Sequence, residues 1–202
     1  MSNIQTLFKD PIYIVDDLVD NINQLKNDCY SIYNHAQQPK YHDKYNPGTT
    51  FVSYKFKPEY AVIHKDTRFI NFSNLVFDHC KQFMAEIGYN QQQINRLFIS
   101  RSWFNISCEN DYMERHVHPA TDFTSVFYIE STPDDKITFV KNVYNMLERP
   151  KNMNEWSRSV FDLDAKENRL AIFKADQVHN VSRDRLSNKR ITFIHNFTMT
   201  NR

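Results

Sequence analysis

Tyr112-Met113-Glu114-Arg115-His116-Val117-His118-Pro119 reads as the end of a β-strand carrying two imidazoles. Alternate residues of an extended chain project to the same side, so His116 and His118 point together, with Glu114 behind them. Proline cannot donate to a ladder, so Pro119 is expected to end the strand. Two imidazoles at a strand lip make half of a metal site. The best candidate for the rest is His179, in Phe173-Lys174-Ala175-Asp176-Gln177-Val178-His179. Lys189-Arg190-Ile191-Thr192-Phe193 follows soon after. The order is His-x-His, a long gap, His, a short gap, then Arg-x-Thr.

Outward from this stretch the chain has period two. From Ile94 on, strands are expected at about 97–108, 112–118, 123–130, 136–141, 158–164, 169–174, 178–182 and 190–198. Short strands at this spacing, with no helix-period segment between them, predict a mainly β fold, a double-sheet jelly roll or barrel. Parity assigns the faces. In the last segment Ile191, Phe193, Phe197 and Met199 share one side, while Arg190, Thr192, Ile194, Asn196 and Thr198 share the other. An inward Arg is costly unless an anion meets it. In the first segment Arg101, Trp103, Asn105 and Ser107 share a face, opposite Phe104, Ile106 and Cys108.

The first half has a different rhythm. Pro11 to Val15 reads as a short strand, and Asp16 or Asp17 can cap the helix after it. Leu18, Ile22, Leu25, Cys29 and Ile32 form one apolar stripe to about His35. Thr49 to Lys55 is a possible strand after the Pro47-Gly48 turn. Ser73 is the expected cap of a second helix with Val76, Phe77, Cys80, Phe83, Met84 and Ile87 on its apolar face, stopped by Gly88. The expected organisation is one domain over 1–202. Residues 1–93 supply a strand and supporting helices packed on one sheet, and 94–202 supply the jelly-roll core with the metal site.

Composition narrows the function. Lys plus Arg is 25 and Asp plus Glu is 24, a net charge of +1, which argues against a nucleic-acid partner bound through charge. No apolar run approaches the roughly 20 residues of a membrane span, and the N-terminus lacks a signal-peptide pattern. Cys29, Cys80 and Cys108 are odd in number and far apart, as expected of reduced core thiols in a cytoplasmic protein.

The motif order resembles the Fe(II)/2-oxoglutarate-dependent dioxygenase superfamily. There a jelly roll holds iron through His-x-Asp/Glu on its second strand and a His on its seventh. An Arg on the eighth, often followed two residues later by Ser or Thr, binds the far carboxylate of 2-oxoglutarate. A closer look-alike is a small family of such oxygenases in marine bacteria and their phages. It tends to show Trp-x-Asn, His-x-His-Pro, Ser-Gly-x-Tyr-Tyr, a late His and Arg-Ile-Ser. This chain has Trp103-Phe104-Asn105, His116-Val117-His118-Pro119, Ser125-Val126-Phe127-Tyr128, His179 and Arg190-Ile191-Thr192.

The resemblance covers about 97–198 well and the N-terminal helices loosely. It implies iron at His116, His118 and His179, and 2-oxoglutarate at Arg190 and Thr192, with Asn105 and Tyr128 as further cosubstrate-side residues. It also implies dioxygen as a reactant and hydroxylation of a small-molecule or peptide substrate, with release of succinate and carbon dioxide. Val126 stands where the small family usually has Gly. His118 stands where the superfamily has a carboxylate, so the iron meets either three His or two His and a carboxylate such as Glu114, Asp122 or Asp176. Tyr144 and Trp156, in the long connection from Asn142 to Ser157, are candidates to touch substrate.

Plainer readings stand beside these. His116 and His118 could be polar residues at a sheet edge, His179 a solvated loop residue, and Arg190 a surface partner of Asp184. His195 has the parity of Phe193 and reads as a packed structural residue. Two other functional classes compete: a cupin-type three-His metalloprotein that does not use 2-oxoglutarate, and a non-catalytic jelly-roll binding module.

Overall fold

A computed structural model of the protein describes residues 10–38, 50–108, 111–132, 135–141, 159–181 and 189–200. In chain order its strands are β1 (Tyr13–Val15), β2 (Phe51–Val52), β3 (Leu97–Cys108), β4 (Met113–His116), β5 (Phe123–Glu130), β6 (Lys136–Val140), β7 (Val160–Asp164), β8 (Leu170–Lys174), β9 (His179–Val181) and β10 (Lys189–Met199). The helices are α1 (Ile22–Ala36), α2 (Ser53–Phe56), α3 (Ile70–Glu86) and α4 (Gln91–Ile94). From β3 on, each expected strand is present, with ends shifted by a residue or two.

The strands form two antiparallel sheets, one in the order β1-β8-β5-β10-β3-β2 and the other β4-β9-β6-β7. After β3 the chain passes back and forth between them, which is the double-stranded β-helix, or jelly roll. β1 and β2, from the first half of the chain, hydrogen-bond to the larger sheet through β8 and β3.

β10 alternates as its sequence predicts. Ile191, Phe193 and Phe197 join the core beneath the helices. Phe193 lies 5.3 Å from both Phe69 and Phe72, ring centre to ring centre. Ile194 faces the other way, into a smaller core between the sheets with Val126, Ile137, Phe139, Leu163 and Phe173. The larger sheet therefore buries apolar side chains on both faces. Its outer face is closed by α1, through Leu25, Cys29, Ile32 and Ala36, and by α3, through Phe72, Val76, Cys80, Phe83 and Met84.

The local signals fared less well. Asn21, not Asp16 or Asp17, caps α1 by accepting from Gln24 N–H at 3.3 Å. Asp17 takes the turn with φ 54°, and Asp16 pairs with Arg169 at 2.6 Å. Ser73 lies inside α3, which begins three residues earlier without a side-chain cap. The expected strand from Thr49 to Lys55 reduces to Phe51–Val52, because Ser53 to Phe56 turn as α2. Gly88 stops α3 as expected, with φ 99°.

Ser73 has a different role. Its hydroxyl lies 3.0 Å from His195 Nε2, deep under the sheet. His195 is fully buried and stacks on Phe193. Burial, with a smaller contribution from His64, depresses its pKa to about 3. The unfolded side chain titrates near 6.5. Between these values the unfolded chain holds a proton that the native one refuses, so acidification destabilises the fold. In metal-free protein His195 alone contributes a loss of about 1.4 kcal/mol per pH unit below about pH 6.5. Denaturant midpoints at pH 7, 6 and 5 measure the slope. His195→Gln should flatten it, and equal slopes would remove His195 from the explanation.

Candidate metal centre

The smaller sheet sets the geometry. β4 and β9 pair with His116 opposite His179, and the two rings come within 4.2 Å. His118 lies two residues beyond the end of β4, so the strand stops at His116 and not at Pro119. The His118 backbone N–H donates to Ala175 C=O at 2.9 Å, which ties this segment to the turn before β9. Pro119 and Ala120, the latter at φ 57°, then turn the chain toward β5. The His118 ring sits 5.4 Å from His116 and 5.3 Å from His179, and one nitrogen from each of the three lies within 4.8 Å of the others.

Backbone carbonyls orient the rings. His116 Nδ1 lies 2.8 Å from Glu114 C=O, and His179 Nδ1 lies 2.8 Å from Gln177 C=O. A carbonyl can only accept, so each Nδ1 donates there, which leaves Nε2 as the ring atom that can ligate a metal. His118 is held by a hydrogen bond with the Asn196 side chain, whose Oδ1 accepts from Thr124 at 3.0 Å. Trp103 stacks on its ring at 6.0 Å. Burial, then the proximity of His116, lowers the His118 pKa to about 4, against the Asn196 bond. Burial takes His179 to about 3, against the Gln177 bond. Both are neutral at pH 7, the form that ligates metal.

The cluster walls a cavity between the sheets of about 600 Å³, its mouth included. The larger sheet lines the opposite wall with Trp103, Asn105 and Ser107 from β3, Val126 and Tyr128 from β5, and Arg190, Thr192 and Ile194 from β10. Thr192 pairs with Asn105 on one side and Tyr128 on the other, so the three stand in one row across the sheet. Arg190, next on that face, is only 5% exposed. Burial pushes the Tyr128 hydroxyl up to about 12, although the Arg190 charge pulls the other way.

Every site residue expected within the described part of the chain thus lines one cavity. Tyr144 and Trp156 lie outside the described residues. The three carboxylate candidates do not join the cluster. Glu114 and Asp176 are exposed, and Asp122 accepts from Met199 N–H at 2.7 Å. Among the described residues the cluster is imidazole alone. The roles of Asn196 and Trp103 behind His118 were not anticipated, although the parity of β3 and β10 places both on the inner face.

Residues 101–196 match the model of a family described as "Putative 2OG-Fe(II) oxygenase". Over this stretch the chain is similar to the 2OG-Fe(II) oxygenases. The matched stretch contains His116, His118, His179 and Arg190. No curated protein matches this chain in sequence.

Solved structures share its fold. HygX from Streptomyces hygroscopicus, with nickel, 2-oxoglutarate and hygromycin B bound, is 11% identical with a TM-score of 0.61, covering 95% of this chain and 84% of that one. A Pseudomonas putida prolyl-4-hydroxylase is 9% identical with a TM-score of 0.58, covering 95% and 94%. A third match, a 2OG-Fe(II) oxygenase family oxidoreductase from Burkholderia pseudomallei, is too loose to count with these two: it is 14% identical with a TM-score of 0.45, covering 69% of this chain and only about half, 55%, of that protein.

The cavity suits the family's iron and 2-oxoglutarate. Imidazole is a good iron ligand, and a facial set of three leaves open positions. Asn105 Oδ1, His118 Nε2 and Tyr128 Oη are buried polar atoms with no hydrogen-bond partner among the described residues. Such atoms are costly unless a ligand satisfies them.

Proposed function

We propose that His116, His118 and His179 hold Fe(II) through their Nε2 atoms. On this reading Arg190 and Thr192 bind the distal carboxylate of 2-oxoglutarate in the same cavity, beside Asn105 and Tyr128. The observation that carries it is the shared cavity: two imidazoles on the smaller sheet and a third just past the end of β4 line it together with a buried guanidinium from the larger sheet.

Each side chain has a physical task. Arg190 offers a permanent charge and a planar fork, which suits a carboxylate better than an ammonium would. Thr192 adds a hydroxyl on the same face. Asn105 and Tyr128 present polar atoms from either side of it. Val126, Ile137 and Ile194 keep water from the cosubstrate. Bound iron, with 2-oxoglutarate and dioxygen, would supply oxidising chemistry that hydroxylates a small-molecule or peptide substrate and releases succinate and carbon dioxide. Three neutral imidazoles leave more positive charge at the metal than two imidazoles and a carboxylate.

The test is anaerobic addition of Fe(II) and then 2-oxoglutarate. A visible metal-to-ligand charge-transfer band is expected. Iron binding without the band would favour a cupin-type centre, and no iron binding would leave a binding module. Succinate release on admitting dioxygen then tests turnover.

A further inference from the structure

A second cavity, a cleft of about 1030 Å³ with its open mouth included, adjoins the first. The two share Trp103, Asn105, Met113, His116 and His118. Arg190, Thr192 and Tyr128 line only the first, and Lys55 and Arg101 line only the second. One cavity is thus already suited to the cosubstrate, and the other reaches two of the three imidazoles, His116 and His118, independently.

The chemistry of the second wall is specific. No Asp or Glu lines it among the described residues, and its fixed charges are Lys55 and Arg101. Neither forms an ion pair or a hydrogen bond with another described residue. The Arg101 guanidinium carbon lies 5.4 Å from the Tyr54 ring and 5.9 Å from the Trp103 ring. Tyr54 meets Trp103 edge-on at 5.7 Å, and Trp103 stacks on His118. Aromatic faces hold a guanidinium in place while leaving its N–H groups to an acceptor. Two cations are too few to track a polyanion, but they match one carboxylate beside an aromatic floor.

We propose that this cleft receives the primary substrate and that Arg101 and Lys55 bind a carboxylate on it. The inference rests on the oxygenase reading above and adds the chemical class of the substrate: a small carboxylic acid whose carbon skeleton lies on Tyr54 and Trp103, with reach to the iron ligands.

The experiment uses matched probes: N-acetyl-proline, N-acetyl-leucine and N-acetyl-phenylalanine, each against its primary amide. Calorimetric titrations are run on metal-free protein and on protein holding Fe(II) and 2-oxoglutarate without oxygen. At least one acid should bind about tenfold or more tightly than its amide, as a charge-assisted hydrogen bond requires. Arg101→Gln and Lys55→Gln should each erase that preference, and Arg101→Lys should keep part of it. The 2-oxoglutarate charge-transfer band should persist in Arg101→Gln, which separates this site from the Arg190 site. Equal binding of acids and amides, no binding of any acid, tighter binding of inorganic phosphate, or a preference that survives Arg101→Gln would each overturn the proposal. Absence of the band in the parent protein would instead sink the oxygenase reading, and the metal-free titrations would still decide the carboxylate site.

Discussion

Arg190→Ala is expected to raise the 2-oxoglutarate concentration for half-saturation by roughly two to three orders of magnitude and to leave iron content unchanged. Removing one side of a buried, hydrogen-bonded charge pair costs about 2–5 kcal/mol, much of it from the charge left without a partner. Here the charge left behind would be the distal carboxylate of the cosubstrate, in a cavity that Val126, Ile137 and Ile194 help to line. Arg190 lies on β10, whereas His116 and His179 are held on β4 and β9 and His118 by Ala175, so its loss should not disturb them. Arg190→Lys should fall between, because it keeps the charge and loses the fork. The charge-transfer band reads cosubstrate affinity, and elemental analysis reads iron. An unchanged affinity would mean that the guanidinium serves another group.

His179→Ala should remove iron, from near one atom per chain to roughly a tenth or less. Replacing a partner of a ligand commonly costs 10–100-fold in metal affinity, and replacing a ligand costs at least that. The side chain is also structural, with its ring 5.0 Å from Phe173 and 6.0 Å from Phe139. His179→Gln, which fills more of the space, is therefore the companion variant, and thermal melts check that both fold. A folded variant with the iron content of the parent would require a different ligand set.

The jelly roll was readable because its strands are constrained on both faces. In β10, parity separated Phe193, under α3, from Thr192, in the cavity, and the same count placed Asn105 and Trp103 on the inner face of β3. A one-residue slip would have put Arg190 into the helix-side core, so burial fixes the register. Features set by contacts distant in sequence left weaker traces. Ser73 looks like a cap until His195, 122 residues away in sequence, is seen to use its hydroxyl. His118 looks like a strand residue until Ala175 is seen to hold it beyond the strand end. The charged cleft was not legible, because Lys55 and Arg101 come to line one cleft only when α2 packs beside β3. Asp16 and Asp17 were plausible caps by composition, but Arg169 engages Asp16 while Asn21 does the capping.

One convergence matters most: iron on three imidazoles, with the far carboxylate of 2-oxoglutarate on Arg190. Anomalous diffraction at the iron edge, from crystals loaded with Fe(II) and 2-oxoglutarate without oxygen, tests it most directly. The predicted result is a single strong peak bonded to Nε2 of His116, His118 and His179, with the distal carboxylate paired to Arg190. A peak elsewhere, or 2-oxoglutarate bound away from Arg190, would contradict the account.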